Sequence, residues 1–383
     1  MDQQRAEKMQ RLADTITYWV ALVMSVYHIV ASQYSIFGSE QHINLHILFA
    51  LVIVFLQAMK FATKKDRVIS GLLLALIAVT AVPMVYIHQT ATRFPFAIGK
   101  QPFDKVLTGI IVILVMLIAT RIRWGRVIPV IAVIALLYGY FGSHFAGFLH
   151  HGGLSFPRLI TYASTNFTGI YGMLASVSAN TIVQFSIFAG LLEAFGALQM
   201  IIDVAMTASG KIRSGGAQVA VISSGLVGSV SGSVAANIAM TGAFSIPLMK
   251  KRGYPPEFAA AVEAAASTGG AILPPVMNAA AFIIASWISV PYITVVMVGL
   301  APALLYYLGI AMSVYIRALK IGDEKTRDEL LPEAKKALVN LLVFLMPIAL
   351  LVALMIQGYS TAKALFFSTI LLVALGFIWQ FRM

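Results

Sequence analysis

The stretch Gly215-Gly-Ala-Gln-Val-Ala-Val-Ile-Ser-Ser-Gly-Leu-Val-Gly-Ser-Val-Ser-Gly-Ser-Val-Ala-Ala-Asn-Ile-Ala-Met-Thr-Gly-Ala-Phe-Ser-Ile-Pro-Leu-Met249 lies between two basic clusters, Lys211/Arg213 and Lys250/Lys251/Arg252. Its residues are mostly small and apolar around a polar centre. One straight membrane span would put the two clusters on opposite sides, and two full spans need about 40 residues plus a turn. Two arms of about 15 residues, 216–230 and 235–249, fit a re-entrant helical hairpin with Ser231-Gly232-Ser233 at its tip.

The rest of the chain supports a membrane reading. Of 383 residues 60% are apolar and 11% charged, against roughly 45–50% and about 25% in soluble domains. The 27 Lys+Arg and 15 Asp+Glu cannot cover a soluble globule of this size. The absence of cysteine excludes thiolate catalysis, Cys-ligated zinc and disulfides. The net charge of +12 sits in short clusters between apolar runs, so its counter-charge is expected to be membrane lipid and not nucleic acid.

Apolar length predicts five spans at 16–37, 43–62, 68–89, 105–120 and 127–141, an interfacial arm at 154–166 and a sixth span at 181–206. After the hairpin, 255–290 crosses once with interruptions at Gly269-Gly270 and Pro274-Pro275, and 292–316, 338–357 and 363–381 complete ten crossings. The expected class is an all-α polytopic membrane protein with one hairpin and one discontinuous helix. The first span reads as no cleaved leader: acids precede it, it is too long, and no small-x-small site follows. With both termini cytoplasmic, 22 of the 27 basic residues fall on the inside, as the positive-inside rule requires.

Two breaks in helical backbone close together at membrane depth mark a candidate site. They are Gly228-Ser-Val-Ser-Gly-Ser-Val-Ala-Ala-Asn237 and Ser267-Thr-Gly-Gly-Ala-Ile-Leu-Pro-Pro275. Each is expected to leave bare carbonyls at one half-helix end and bare N–H groups at the next, oxygen ligands for a small cation and a positive dipole end for a carboxylate. Ser231, Gly232, Ser233, Asn237, Thr268 and Gly269 offer neutral oxygens suited to Na⁺. A substrate carboxylate is expected near Ala235, Pro274, Pro275, Val276 and Asn278, at half-helix starts around Ala235 and Val276. Small residues at such places also serve close helix packing alone.

Three acids fall within the spans. Asp203 is expected to reach toward Lys211 or Arg213, whereas Glu193 and Glu263 are candidates for ion or proton coupling as much as for buried structural hydrogen bonds. His28 and His46 are expected to bond between helices. An intramembrane hydrolase is poorly supported: Gly228-Ser-Val-Ser-Gly is one residue off a nucleophile elbow and all seven histidines precede Gly152. No His-Glu-x-x-His helix is present. No enzymatic activity and no organic cofactor are expected.

Tyr138-Gly-Tyr-Phe-Gly, Leu191-Leu-Glu-Ala-Phe-Gly-Ala, the Gly228–Asn237 segment, Ile246-Pro-Leu-Met-Lys-Lys-Arg-Gly-Tyr254, Phe258-Ala-Ala-Ala-Val-Glu263 and Ala266-Ser-Thr-Gly-Gly-Ala-Ile-Leu-Pro-Pro-Val-Met277 carry a resemblance. The run from Leu137 through Val290 resembles the fused permeases of tripartite ATP-independent periplasmic (TRAP) transporters, especially those served by TAXI binding proteins. More loosely, 1–124 resembles the small four-helix subunit fused to such permeases, leaving 125–383 as the first part of the large subunit. The resemblance implies a Na⁺-coupled, elevator-type carrier in the bacterial or archaeal cytoplasmic membrane, taking organic acids from a periplasmic binding protein. The family's second inverted repeat has no counterpart after residue 316, so a further polypeptide supplying it is expected. The alternative is a non-transporting docking subunit or an inactive truncated permease.

Overall fold

The computed structural model describes residues 2–61, 67–91, 101–209, 214–322 and 334–380, and these are all helix, turn or loop. They pack as two units, 1–179 and 180–383. The boundary expected at 124/125 falls inside the first of them. Eight helices are long and apolar enough to cross a membrane among the described residues, as the composition demands. The other two expected crossings are the interrupted helix and the one near the C-terminus, whose side chains are described from Leu345 onward.

In the first unit, α1 (Asp2–Ala31), α2 (Ser39–Phe61), α3 (Arg67–Thr90) and α4 (Phe103–Trp124) are followed by α5 (Val127–Phe141), α6 (Phe156–Ala163) and α7 (Met173–Val177). Ile43, Ile47, Leu51 and Phe55 recur every fourth residue along α2, and all are buried against α3, α4 and Tyr171. The first span ends at Ala31 rather than at the expected residue 37, because 32–34 form a turn. The expected arm at 154–166 contains α6, which starts at Phe156 with Pro157 in its first turn and lies on α4. Gly109 permits that docking, since a Cβ there would lie 2.5 Å from Ser164 Oγ and 2.8 Å from Ile160 Cγ2.

His28 and His46 do bond between helices, with His46 Nδ1 3.1 Å from His28 Nε2. His28 Nδ1 donates to the Met24 carbonyl at 2.8 Å, so its Nε2 accepts when neutral. That assigns the His46 proton to Nδ1 and leaves His46 Nε2 to accept from Ser178 Oγ at 3.0 Å.

The second unit comprises α8 (Val183–Ala194), α9 (Ala197–Ser209), α10 (Gly215–Ser231), α11 (Val234–Lys251), α12 (Pro256–Gly270), α13 (Ala279–Trp287), α14 (Tyr292–Ile321), α15 (Ala334–Ile356) and α16 (Thr361–Gln380). The sixth span expected as one helix over 181–206 is divided. Gly196, at φ +84, closes α8, and α9 starts at the next residue. Hydropathy could not reveal this, because both halves are equally apolar and only the left-handed glycine separates them. The unit therefore holds two discontinuous helices where one was expected.

The hairpin is α10 and α11. Fourteen of the 17 residues of α10 are buried, because α9, α11, α12 and α14 surround it, which explains why it is apolar all round. Gly232 in the left-handed region ends α10, its N–H donating to Gly228 O at 2.9 Å, and Ser233 caps α11 by accepting from Ala236 N. At the other end, a Cβ on Gly216 would lie 2.8 Å from Arg252 Cγ. The two feet thus meet, and the chain returns to the end it entered from. Since the chain has no cysteine, Ala208→Cys and Lys251→Cys are expected to react with a membrane-impermeant maleimide from the same face of sealed vesicles. Labelling from opposite faces would rule out the re-entrant path.

Candidate functional site: a hairpin tip seated in a broken helix

The two breaks expected from the sequence meet in space at three successive levels. Deepest in the hairpin, Gly228 and Gly270 cross so closely that a Cβ on Gly228 would lie 2.4 Å from Gly270 Cα. One residue on, Ser229 O accepts the Val276 N–H at 3.0 Å. At the tip, a Cβ on Gly232 would lie 1.8 Å from Met277 O. The glycines are required by this backbone-to-backbone approach.

Helix α12 ends as its sequence suggests, but its carbonyls are not bare. Those of Thr268, Gly269 and Gly270 accept the N–H groups of Ala271, Ile272 and Leu273 at 3.1, 3.1 and 3.4 Å, a tightened last turn that leaves one lone pair on each oxygen. The second half-helix begins at Ala279 with Asn278 as cap, its Oδ1 accepting from Ala280 N at 2.8 Å. That corrects the start expected near Val276, whose N–H is spent on Ser229. The Tyr292 hydroxyl donates to the carbonyls of Pro275 and Val276 at 2.9 and 2.5 Å. Tyr306 and Tyr307 donate to Ala265 O and Ala266 O at 3.0 and 2.7 Å. Helix α14 therefore braces both halves of the break, a role the sequence reading missed; the 14-residue spacing of Tyr292 and Tyr306, close to four turns, was its only signal.

Glu263 is fully buried and gathers four hydroxyls from three helices. Its Oε1 accepts from Ser224 of α10 and Ser267 of α12, each at 3.0 Å, and from Thr241 of α11. Its Oε2 accepts from Ser245 of α11. Gly242 makes room, a Cβ there meeting Glu263 Cγ at 3.3 Å. Of these five residues the sequence reading singled out Glu263 as a candidate and Ser267 only as the start of the second break. The i, i+4 pairs Thr241/Ser245 and Glu263/Ser267 place hydroxyls on facing stripes, but nothing in one sequence says that the stripes face.

The proposed ion and substrate residues distribute around this frame. Asn237 is fully buried at the Gly228–Gly270 crossing, its Nδ2 donating to Ser224 O at 2.8 Å and its Oδ1 lying 3.3 Å from the Thr241 hydroxyl oxygen. Ser231 and Ser233 line a cavity of about 240 Å³ together with Glu193, Ser186 and Ile201. The Ser231 hydroxyl is buried without a hydrogen-bond partner. Thr268 is exposed and donates to Ala264 O at 2.7 Å within its own helix. Gly269 faces α14, where a Cβ would meet the rings of Tyr306 and Tyr307 at 2.7 and 2.9 Å. Ala235 and Asn278 are exposed beside the tip, and Pro274 and Pro275 half-buried in the break. Asp203 accepts from Gln199 at 2.9 Å; Lys211 and Arg213, its expected partners, lie outside the described residues.

Residues 110–383 match the family described as "Tripartite ATP-independent periplasmic transporter, DctM component". The chain belongs to this family. Hairpin, break and brace all lie in the DctM match. The chain is 33% identical over 152 residues to a Pseudomonas aeruginosa protein named "C4-dicarboxylate TRAP transporter large permease protein DctM", an alignment covering 39% of this chain and 35% of that protein. It is 27% identical over 203 residues to the "Uncharacterized protein y4mL" of Sinorhizobium fredii, covering 51% of this chain and 47% of that one. The chain thus spans less than half the length of either relative. It is a multi-pass membrane protein of a transporter family.

Proposed function

We propose that this chain is the permease, or a large part of the permease, of a Na⁺-coupled secondary transporter for organic acids in the cytoplasmic membrane. The observation that carries the reading is the seating of a hairpin tip in a broken helix beside a cavity lined by Glu193 and by Ser231, whose hydroxyl is buried without a partner among the described residues. Irregular backbone at membrane depth persists where it is covered by protein or lines a wet cavity, and it is there that carriers bind ions and substrate. In this reading Na⁺ binds among the oxygens of Ser231, Gly232, Ser233, Asn237, Thr268 and Gly269, and the substrate carboxylate at the capped helix starts by Ala235 and Asn278. The Pseudomonas relative is named for C4-dicarboxylates, so a small dicarboxylate is the first substrate to test.

The finer reading assigns 1–124 to a fused small subunit, delivery to a periplasmic binding protein of TAXI type, and the transport step to an elevator motion with both termini inside. It also assigns a second half-site to further permease polypeptide. Proteoliposomes containing the chain, a binding protein and a polypeptide carrying a second hairpin are expected to accumulate dicarboxylate only with an inward Na⁺ gradient. Asn237→Ala should raise the Na⁺ concentration for half-maximal uptake about tenfold, the loss of one neutral oxygen ligand being of hydrogen-bond size. Uptake indifferent to Na⁺ would overturn the coupling, and an unchanged half-maximal Na⁺ concentration would leave Asn237 as packing.

A further inference from the structure

Helices α4 and α5 are joined by Gly125 and Arg126, Gly125 lying at φ +80 with its N–H donated to Arg121 O at 3.1 Å. From this tight junction two stripes run apart: Leu114, Ile118 and Arg121 at one-turn spacing on α4, and Arg126, Val130 and Val133 on α5. Between them lies a groove of about 400 Å³, lined by apolar side chains and, at the junction end, by the two arginines. Helix α5 has no buried residue at all, so the groove's outer wall is a helix with almost nothing behind it.

No carboxylate occurs in the sequence between Asp104 and Glu193, and among the described residues the side chains of Arg121 and Arg126 have no hydrogen-bond or ion-pair partner. Arg126 provides no side-chain cap to α5, so the first N–H groups of that helix, at Val127 and Ile128, offset the carbonyl end of α4 at the same junction and leave the two guanidinium groups as its net charge. Two guanidinium forks beside a helix start are a phosphate-binding chemistry. Apolar walls leading away from them fit an acyl chain. A second copy of this chain would bring further basic residues to an already basic corner, and a soluble anion would leave the walls uncovered.

We propose that the α4–α5 groove is a binding site for an anionic phospholipid, the phosphate held between Arg121 and Arg126 and an acyl chain along Leu114, Ile118, Val130 and Val133. The site is independent of the hairpin and of the transport reading. The test is native mass spectrometry of the full chain in detergent, titrated with phosphatidylglycerol or with phosphatidylcholine of the same acyl chains. Phosphatidylglycerol should be retained at least tenfold better. The double variant Arg121→Gln/Arg126→Gln should weaken its retention by about 30-fold, one order-of-ten step or less for each basic residue at a membrane surface. Arg123→Gln, one residue pair away but off the groove, should change it by less than twofold, and Val130→Trp should weaken both lipids by filling the walls. Equal retention of the two lipids, or an Arg123→Gln effect matching the double variant, would show a diffuse basic surface and overturn the site. A dimer that dissociates on Val130→Trp would show that a second copy occupies the groove and would overturn it as well.

Discussion

Gly232→Ala is expected to unseat the hairpin tip and lower the stability of the detergent-purified protein by roughly 3 kcal/mol, read as a lower midpoint of thermal unfolding. Two costs combine. At φ +60 an L-residue sits in the left-handed region, worth about 1–2 kcal/mol. The added methyl would also lie 1.8 Å from Met277 O and 2.9 Å from Met277 C, and backbone on both sides cannot yield as a flexible side chain would. The tip must back out of the break, straining the Ser229–Val276 bond. Gly253→Ala separates the two costs, because Gly253 has φ +86 but open space around it. A Gly232→Ala protein that melts no lower than Gly253→Ala would mean that the tip is not seated where Met277 lies.

Glu263→Ala is expected to cost about 2–4 kcal/mol, since it removes the common acceptor of four buried hydroxyls and opens a cavity. Ser224 and Thr241 can turn to each other, being 3.0 Å apart, so the loss falls mainly on Ser245 and Ser267. Both are fully buried. Glu263→Gln preserves the volume and one acceptor, and a smaller loss is expected, below about 2 kcal/mol. Thermal unfolding of the three proteins side by side decides it: near-equal midpoints would mean that the carboxylate does not tie α10, α11 and α12 together. If the hairpin and the broken helix work as one body in transport, Glu263→Ala should also abolish uptake while leaving expression in the membrane measurable.

The hairpin was legible in the sequence because three independent signals agree on it: its length, the basic residues at both feet, and a Ser-Gly-Ser tip that can neither continue a helix well nor stand alone in lipid. The break at Gly269-Gly270 and Pro274-Pro275 was legible for a similar reason, proline removing donors where glycine lets backbones touch. The kink at Gly196 was not. A single glycine in an apolar run has many tolerable conformations, and only the packed structure shows which one it takes. The cage around Glu263 was hidden for a different reason. Serine and threonine in a membrane helix bond back to their own backbone by default, as Thr268 does, and the exceptions depend on which helix lies opposite. The same holds for the tyrosines of α14, whose hydroxyls find carbonyls more than 15 residues away in the chain. Spacing along the sequence carries the face of a helix but not its neighbour.

The hairpin's two flanks are built differently. Toward α12 the hairpin is held by the crossing of Gly228 with Gly270 and by the hydroxyl cage of buried Glu263. Toward α8 and α9 the same hairpin borders open volume, with Ser231 and Glu193 facing it. Gly196, which separates the two short helices on that side, is the one left-handed residue in their wall of that volume, so a rotation there would move the wall while the seat against α12 stays still.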